Sequence, residues 1–258
     1  MTGTGAQAIK LDNAIDFANN TDYGTRILKR KEFTKMSVNS DVLETRLNDQ
    51  DLYTSSLYDD HSRPVATVVN AQWKDIAFTS FEVQNGRWVF NNSYVSHTPT
   101  LAMTGQHVYD LIQSTNDIVS PILSDKDYIV AFWVKSTSEP TAELYNTSNT
   151  TPVIIEEMNV VGDWKLYVAK FEAVAGDVFK LYNGTGDAMA IDEIRLHPTE
   201  ASMTSYAYEA LCGITSKTDA RNYIIYYDYD QFGRAVHERT IHGEIISKLE
   251  QFAQQADN

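Results

Sequence analysis

The sequence is poor in cysteine and in basic residues. It has one cysteine, Cys212, in 258 residues, which excludes an internal disulfide and a zinc site built from several thiolates. Lys and Arg number 21 against 35 Asp and Glu, for a net charge of −14. Nucleic-acid binding depends on a basic surface that neutralises phosphates, so we expect no nucleic-acid partner.

The sequence also lacks a long hydrophobic run. Wholly apolar stretches span only a few residues, as in VII at residues 153–155, whereas a membrane-crossing helix needs about 20. The opening residues MTGTGA show neither the charged region nor the apolar region of a signal peptide. We therefore expect no membrane span, and either a cytoplasmic protein or a piece of a longer exported chain.

Motifs of common enzymes are missing as well. The sequence contains no Gly-x-Ser-x-Gly elbow, no Walker loop and no His-Glu-x-x-His helix. Glu156 and Glu157 are neighbours, and adjacent residues on a strand point to opposite faces, so they do not form a cooperating acid–base pair. Cys212 has no recognisable partner base. The sequence predicts a non-catalytic protein.

Short runs of aromatic and β-branched residues are abundant. Residues 128–136, YIVAFWVKS, form a strongly apolar strand candidate, and residues 164–171, WKLYVAKF, alternate between polar and apolar positions. Turn clusters such as NGTGD at residues 183–187 separate these runs. Several short strands divided by turns predict an antiparallel β-sandwich.

The composition changes along the chain and predicts four regions. Residues 19–24, NNTDYG, have the composition of a loop. After Pro198, alternating and tyrosine-rich runs such as YIIYYDYD at residues 223–230 indicate a β-meander. The predicted regions are an irregular N-terminal arm (1–57), a hairpin segment (58–71), a β-sandwich (72–198) and a β-meander with a tail (199–258).

Two segments of the chain match each other at fixed spacing. Residues 58–65 read YDDHSRPV and residues 229–236 read YDQFGRAV, so Tyr, Asp, Arg and Val recur at identical offsets. An Asp after a strand caps backbone amides in a turn, and an Arg four positions later comes within reach of it. We expect both segments to form the same strand–turn–strand unit.

The Tyr-Asp-x-x-Gly-Arg pattern at residues 229–234 resembles the YD repeat of the RHS family. Residues 190–247 look like the junction between a sandwich module and YD repeats in large surface proteins of the Bacteroidetes type. The resemblance implies a mainly β fold, an antiparallel jelly-roll β-sandwich flanked by YD-repeat-like β-hairpins. It also implies an extracellular or cell-surface location and other surface or secreted proteins as partners. About one and a half repeats can be counted, too few to close a shell.

The middle region resembles a carbohydrate-binding module. The resemblance rests on Phe81 and Glu82 with Trp88 close behind, on the turn at residues 104–107, and on residues 191–194. Such sandwiches often hold a structural Ca²⁺ between their first and last strands. By resemblance Glu82 and Asp192 would supply its carboxylates, and the alternative is that both are solvated acids at strand ends.

Sugar binding requires exposed aromatic rings beside hydrogen-bonding groups. Trp88, Trp133 and Trp164 lie in strand patterns and are expected in the core. Other aromatic residues lie near turns and are the candidate ligand-binding residues: Trp73, Tyr94, Tyr109, Tyr145 and Tyr182.

Three functions remain open at this point. The first is a non-catalytic structural or adhesive module of a larger secreted or cell-surface RHS-like assembly. The second is a glycan-binding module. The third is part of an RHS toxin-delivery shell.

Overall fold

The regular secondary structure in the described part of the chain consists almost entirely of antiparallel β-strands. The computed structural model describes residues 31–47, 51–83, 86–112, 117–147, 149–209 and 212–248. The strands are β1 Glu32–Met36, β2 Val42–Leu47, β3 Leu52–Tyr58, β4 Pro64–Val69, β5 Ala77–Thr79, β6 Val95–His97, β7 His107–Asp110, β8 Ile118–Val119, β9 Lys126–Lys135, β10 Thr141–Tyr145, β11 Thr150–Val153, β12 Glu156–Val161, β13 Trp164–Ala173, β14 Val178–Tyr182, β15 Ala190–Pro198, β16 Ser202–Glu209, β17 Gly213–Thr218, β18 Ile224–Tyr229, β19 Ala235–Thr240 and β20 Ile245–Lys248. Short 3-10 turns lie at Trp73–Asp75 and Asn92–Tyr94.

The described strands form three sheets. Nine strands follow the order β1-β2-β3-β4-β16-β17-β18-β19-β20, seven strands follow β12-β13-β9-β15-β7-β6 with β5 added to β15, and four follow β11-β10-β14-β8. The chain leaves the nine-stranded sheet after β4 and re-enters it at β16. The seven- and four-stranded sheets are therefore built from the residues inserted between these two strands.

The main core lies between the seven- and four-stranded sheets. Phe132 of β9, Tyr167 of β13 and Phe179 of β14 belong to one cluster of fully buried side chains. Burying each such ring stabilises the fold by about 1.5–3 kcal/mol relative to leaving it exposed. This pairing of two antiparallel sheets confirms the predicted β-sandwich.

The seven-stranded sheet is covered on its other face too. Trp133 of β9 and Trp164 of β13 pack in a second cluster with Ile224 and Ile241 from the nine-stranded sheet. The seven-stranded sheet is thus the middle of three layers. Strands buried on both faces have continuous apolar sequences, which explains why residues 128–134 show no alternation. Trp88, Trp133 and Trp164 are all buried, as expected.

The prediction of an irregular arm at residues 1–57 is wrong for residues 32–47 and 52–57. This part of the chain forms β1, β2 and β3 at one end of the nine-stranded sheet. Short strands at a sheet edge are polar on both sides, so residues such as EFTKM carry little alternation. The first thirty residues lie outside the described part of the chain, and the proposed division into domains stays a prediction.

One hairpin turn occurs five times in the described part of the nine-stranded sheet. The amide of its first residue donates to the carbonyl of the fifth, and the carbonyl of the first accepts from the amide of the fourth. The side chain of the first residue accepts from the amides of the third and fifth residues. The fourth residue always has a φ between 59° and 84°. Such turns are type I turns followed by a left-handed residue in a bulge. They lie at residues 37–41, 59–63, 219–223, 230–234 and 240–244.

The predicted equivalence of residues 58–65 and 229–236 is confirmed. Asp59 Oδ2 accepts from Arg63 Nε at 2.7 Å, and Asp230 Oδ2 accepts from Arg234 Nε at 2.8 Å. The other three turns reach the same backbone geometry without an arginine at the fifth position. The backbone geometry of the turn therefore does not require the Asp–Arg pair, which adds further hydrogen bonds in two of the turns.

Candidate functional site

The outer face of the four-stranded sheet gathers two of the candidate ligand-binding tyrosines. In β10 and β14 the buried positions are Ala142, Leu144, Phe179 and Leu181. Because side chains alternate along a strand, the intervening residues face away from the core. This outer face consists of Thr141, Glu143 and Tyr145 on β10 and Val178, Lys180 and Tyr182 on β14.

The register of the two strands fixes the spacing of the rings. Tyr145 is paired with Val178, and Tyr182 is paired with Thr141. The two tyrosines are therefore four residues apart along the strand direction, or roughly 14 Å at the usual rise of a strand. This separation suits an extended ligand better than a single small ring.

Charged groups lie between the two tyrosines. Lys180 Nζ is 3.2 Å from Glu143 Oε1 and 3.0 Å from Asp117 Oδ2, and it lies 4.8 Å from the centre of the Tyr182 ring. Burial opposes the charge of Lys180, but the hydrogen bonds to Asp117 and Glu143 outweigh it and raise the pKa of the amine. Lys180 thus stays protonated and holds both carboxylates in place.

The turn after Tyr182 is fixed by one side chain. Asn183 Oδ1 accepts from the amides of Thr185 and Gly186, and its Nδ2 donates to the carbonyl oxygens of Leu111 and Asp187. Asn183 is buried, with its amide group bonded at both ends. The end of β14, and with it the Tyr182 backbone, is held rigidly.

The arrangement suits binding better than acid–base chemistry. Two half-buried rings flank a fixed row of polar groups, the combination that sugar-binding surfaces use. Asp117 and Glu143 are both engaged by one lysine, Lys180, at 3.0 and 3.2 Å. Glu143, Lys180 and Asp117 were missed at the sequence level. The alternation in TAELY and VFKLY places two of them on one face, but only the strand register shows that they meet.

The other candidate aromatic residues lie elsewhere. Tyr109 is fully buried, and its ring stacks on Phe81 at 5.1 Å between centroids, so the prediction that it is exposed is wrong. The cause is that β7 lies between β15 and β6 inside the sheet. Tyr94 is half-buried against the same core.

Trp73 contacts residues of the nine-stranded sheet and does not belong to the outer face that carries Tyr145 and Tyr182. Its amide donates to Glu44 Oε2 at 2.6 Å. Its ring has Lys35 Nζ at 4.3 Å and the Arg87 guanidinium at 4.2 Å from its centre. Side chains of the protein itself already contact the ring, so the structure does not bring Trp73 together with Tyr145 and Tyr182.

The two predicted calcium ligands hold one loop through hydrogen bonds. Asp192 Oδ2 accepts from the amides of Met103 and Thr104, both at 2.8 Å, and Glu82 Oε1 accepts from the amides of Gln106 and His107 at 2.6 and 2.7 Å. Burial, and next the charge of Glu193, raise the pKa of Asp192 well above its usual range.

These contacts do not fit a calcium ion. The carboxylate oxygens point at N–H donors, and a cation would have to displace those amides to reach them. Within the described ranges, no group of three or more His, Cys, Asp or Glu residues is arranged to hold a metal ion. Calcium stays a prediction, and Glu193, which accepts from Thr104 Oγ1, is a carboxylate of this cluster that sequence reasoning missed.

No helix in the described part of the chain is long and apolar enough to cross a membrane. No family model matches the sequence, and no curated protein matches it.

Several solved structures are similar to part of the chain. A Clostridium thermocellum xylanase containing CBM22-1 and GH10 modules, in complex with xylohexaose, is 14% identical over 47% of this chain and 28% of its own, with a TM-score of 0.34. The adhesin domain K1 of Lys-gingipain from Porphyromonas gingivalis is 12% identical over 48% of this chain and 98% of its own, with a TM-score of 0.32. The module TmCBM61 in complex with β-1,4-galactotriose is 17% identical over 43% of this chain and 87% of its own, with a TM-score of 0.29.

Similarity at this level assigns neither a family nor a function. The chain spans just over a quarter of the xylanase. Two of these structures contain carbohydrate-binding modules by their own descriptions. Nothing in the comparisons supports the resemblance to RHS or YD-repeat proteins, which stays a prediction.

Proposed function

We propose that this chain is a non-catalytic module that binds a linear glycan on the outer face of its four-stranded sheet. The observation that carries the proposal is the spacing of Tyr145 and Tyr182 on either side of the Glu143–Lys180 pair. The Tyr145 ring, and the face of the Tyr182 ring opposite Lys180, offer flat apolar surfaces for a sugar, and the charged pair offers hydrogen bonds to hydroxyl groups.

The expected ligand is uncharged. Lys180 is neutralised by two carboxylates, so this face carries no free positive charge to attract an acidic polymer. Hydroxyl groups of a neutral glycan can donate to the carboxylates and accept from the amine, whereas an anionic sugar would be repelled by Asp117 and Glu143.

Replacing either tyrosine by alanine tests the proposal. Tyr145→Ala and Tyr182→Ala should each weaken binding to a panel of neutral oligosaccharides by about tenfold, which is 1.4 kcal/mol, because each change removes one stacking surface. Glycan arrays and calorimetry measure the loss. Phe232→Ala is the matched control, since Phe232 is an exposed aromatic residue on a distant hairpin. Equal binding by all four proteins would refute the assignment of this face.

A structural or adhesive role is the second candidate, favoured by a tyrosine-rich surface on the nine-stranded sheet. Tyr206 and Tyr208 alternate with buried residues on β16, with their ring centres 6.4 Å apart, and Tyr227 lies on β18 of the same sheet. In that role the chain belongs to an extracellular or cell-surface assembly and contacts other surface proteins. The same glycan panel separates the roles, because an assembly module binds no oligosaccharide. No described feature favours a toxin-delivery shell, and turnover of a polysaccharide by the pure protein would overturn both proposals.

A further inference from the structure

Two histidines face each other at one end of the sandwich. His97 of β6 and His107 of β7 are register partners across the strand pair. Their ring centres are 5.0 Å apart, with the ring planes at 73°. His97 is exposed and the His107 side chain is 30% exposed, so ions in solution can reach both rings.

The His107 ring is held in one orientation. Its Nδ1 lies 2.9 Å from Glu82 Oε2, and the other oxygen of Glu82 accepts from the amides of Gln106 and His107. A carboxylate only accepts hydrogen bonds, so Nδ1 carries the proton and Nε2 of the neutral ring keeps its lone pair. A carboxylate behind a histidine is the arrangement that orients metal-binding imidazoles in proteins.

The His97 ring is oriented in the same way by an amide. His97 Nε2 lies 2.9 Å from Gln106 Oε1, so Nε2 donates and Nδ1 keeps the lone pair. The structure gives neither His97 Nδ1 nor His107 Nε2 a hydrogen-bond partner among the described residues. Gln106 and Glu82 therefore leave one unprotonated nitrogen on each of two neighbouring rings.

The distance between the two ring centres allows both rings to reach one metal ion. A Zn²⁺ ion lies about 2.0 Å from a ligating nitrogen, hence roughly 3.2 Å from the ring centre, and two ring centres 5.0 Å apart then subtend an angle of about 100°. This angle is close to the tetrahedral geometry that zinc prefers. A cavity of about 290 Å³ adjoins the rings and is lined also by Glu82 and Asn92, which leaves room for water ligands.

We propose that His97 and His107 form a two-histidine site for a divalent transition-metal cation of the zinc type. Imidazole nitrogens suit Zn²⁺, Ni²⁺ and Cu²⁺, whereas Ca²⁺ requires oxygen ligands. Glu82 acts here as a positioning residue behind His107, in place of the calcium ligand that the sequence suggested. The net charge of −14 raises the local concentration of any cation near the protein. The bound ion would join the edge strand β6 to β7.

Titration with ZnCl₂ tests the site. Calorimetry at neutral pH should show one equivalent of Zn²⁺ bound per chain, and NMR should show shifts of two histidine rings. His97→Ala and His107→Ala should each lower the affinity at least tenfold. Glu82→Gln should lower it 10- to 100-fold, since it removes the partner that orients the ring. Binding should weaken in acid, because protons compete with the metal ion for the imidazole nitrogens.

Two controls keep the result interpretable. His61→Ala and His237→Ala remove histidines on distant hairpins and should leave Zn²⁺ binding unchanged. Because His97 is exposed, its alanine variant is expected to fold, and an unchanged melting curve in chelator confirms this. Absence of ring shifts and heat with ZnCl₂, or binding that survives both His97→Ala and His107→Ala, would overturn the proposal.

Discussion

The turns at residues 59–63 and 230–234 have the same sequence pattern and the same hydrogen bonds but different surroundings. The Asp59 side chain is 1% exposed, whereas that of Asp230 is 22% exposed. Tyr208 from the neighbouring strand β16 makes the difference. Its hydroxyl donates to the Pro64 carbonyl at 2.8 Å, and its ring lies 4.7 Å from the Arg63 guanidinium.

Among the residues that the structure describes, none covers the second turn in this way. Arg234 lies 5.2 Å from the ring of Phe232, which is itself largely exposed. The comparison teaches that the local sequence determines the geometry of a turn, while the neighbouring strands determine how much that turn contributes to stability.

The largest expected difference between the turns comes from removing each aspartate. Asp59→Ala should lower the free energy of unfolding by about 3 kcal/mol, because it leaves two backbone amides and Arg63 without their buried charged partner. Asp230→Ala removes the same bonds in contact with water and should cost a small fraction of that. Urea denaturation with unchanged m-values measures both, and equal losses would contradict the importance of burial.

Replacing the fourth residue of each turn should change the stability less, and in opposite directions in the two turns. Ser62 has a φ of 59° and Gly233 a φ of 74°, a region that glycine adopts without strain. Ser62→Gly should therefore stabilise the protein, and Gly233→Ala should destabilise it, each by about 1 kcal/mol. The melting temperatures should move in opposite directions, and a shared direction would show that side-chain contacts of Ser62 outweigh its backbone strain.

Lowering the pH should reveal the smallest difference in stability between the two turns. Burial opposes the charge of Asp59, but hydrogen bonds from Arg63 and His61 hold its pKa below the usual value. As the pH falls, Asp59 therefore takes up a proton in the unfolded chain before it does so in the folded protein. The stability that the charged Asp59 contributes is present above about pH 4 and is lost as the pH falls through the lower pKa of the folded state.

Salt concentration distinguishes the two aspartates further, because it screens exposed ion pairs more than buried ones. The pKa of Asp230 is also lowered, by its hydrogen bonds to Arg234, but this pair is open to solvent and to screening. Urea midpoints below pH 4, measured at low and high salt, should show a loss in the wild-type protein that Asp59→Asn reduces at both salt concentrations. An effect of Asp59→Asn that disappears at high salt would show that Asp59 is as accessible as Asp230.

The sequence predicts those parts of the fold that depend on neighbouring residues. The matching octapeptides at residues 58–65 and 229–236 predicted two equivalent turns, and the apolar run at residues 128–136 predicted a strand. The turns at 37–41 and 219–223 escaped notice because they lack the arginine at the fifth position, where Asp41 stands in one and Tyr223 in the other.

Features that depend on strand register could not be predicted. Tyr109 follows a turn and looked exposed, but the strands on either side of β7 and the ring of Phe81 bury it. Lys180 and Glu143 become partners only through the pairing of β10 with β14. The five-ångström approach of His97 to His107 likewise follows from the register of β6 and β7. These contacts join segments that no local pattern relates.

The insertion of the sandwich between β4 and β16 has a consequence for folding kinetics. Val69 pairs with Ser202, about 130 residues further along the chain. Closing a flexible loop of that length costs about 3 kcal/mol more than closing a five-residue hairpin. Pairing of Ala77 in β5 with Leu196 in β15 removes most of this cost, since it brings the two ends of the insertion together. We therefore expect the sandwich to fold first, and the two halves of the nine-stranded sheet to join only after it has formed.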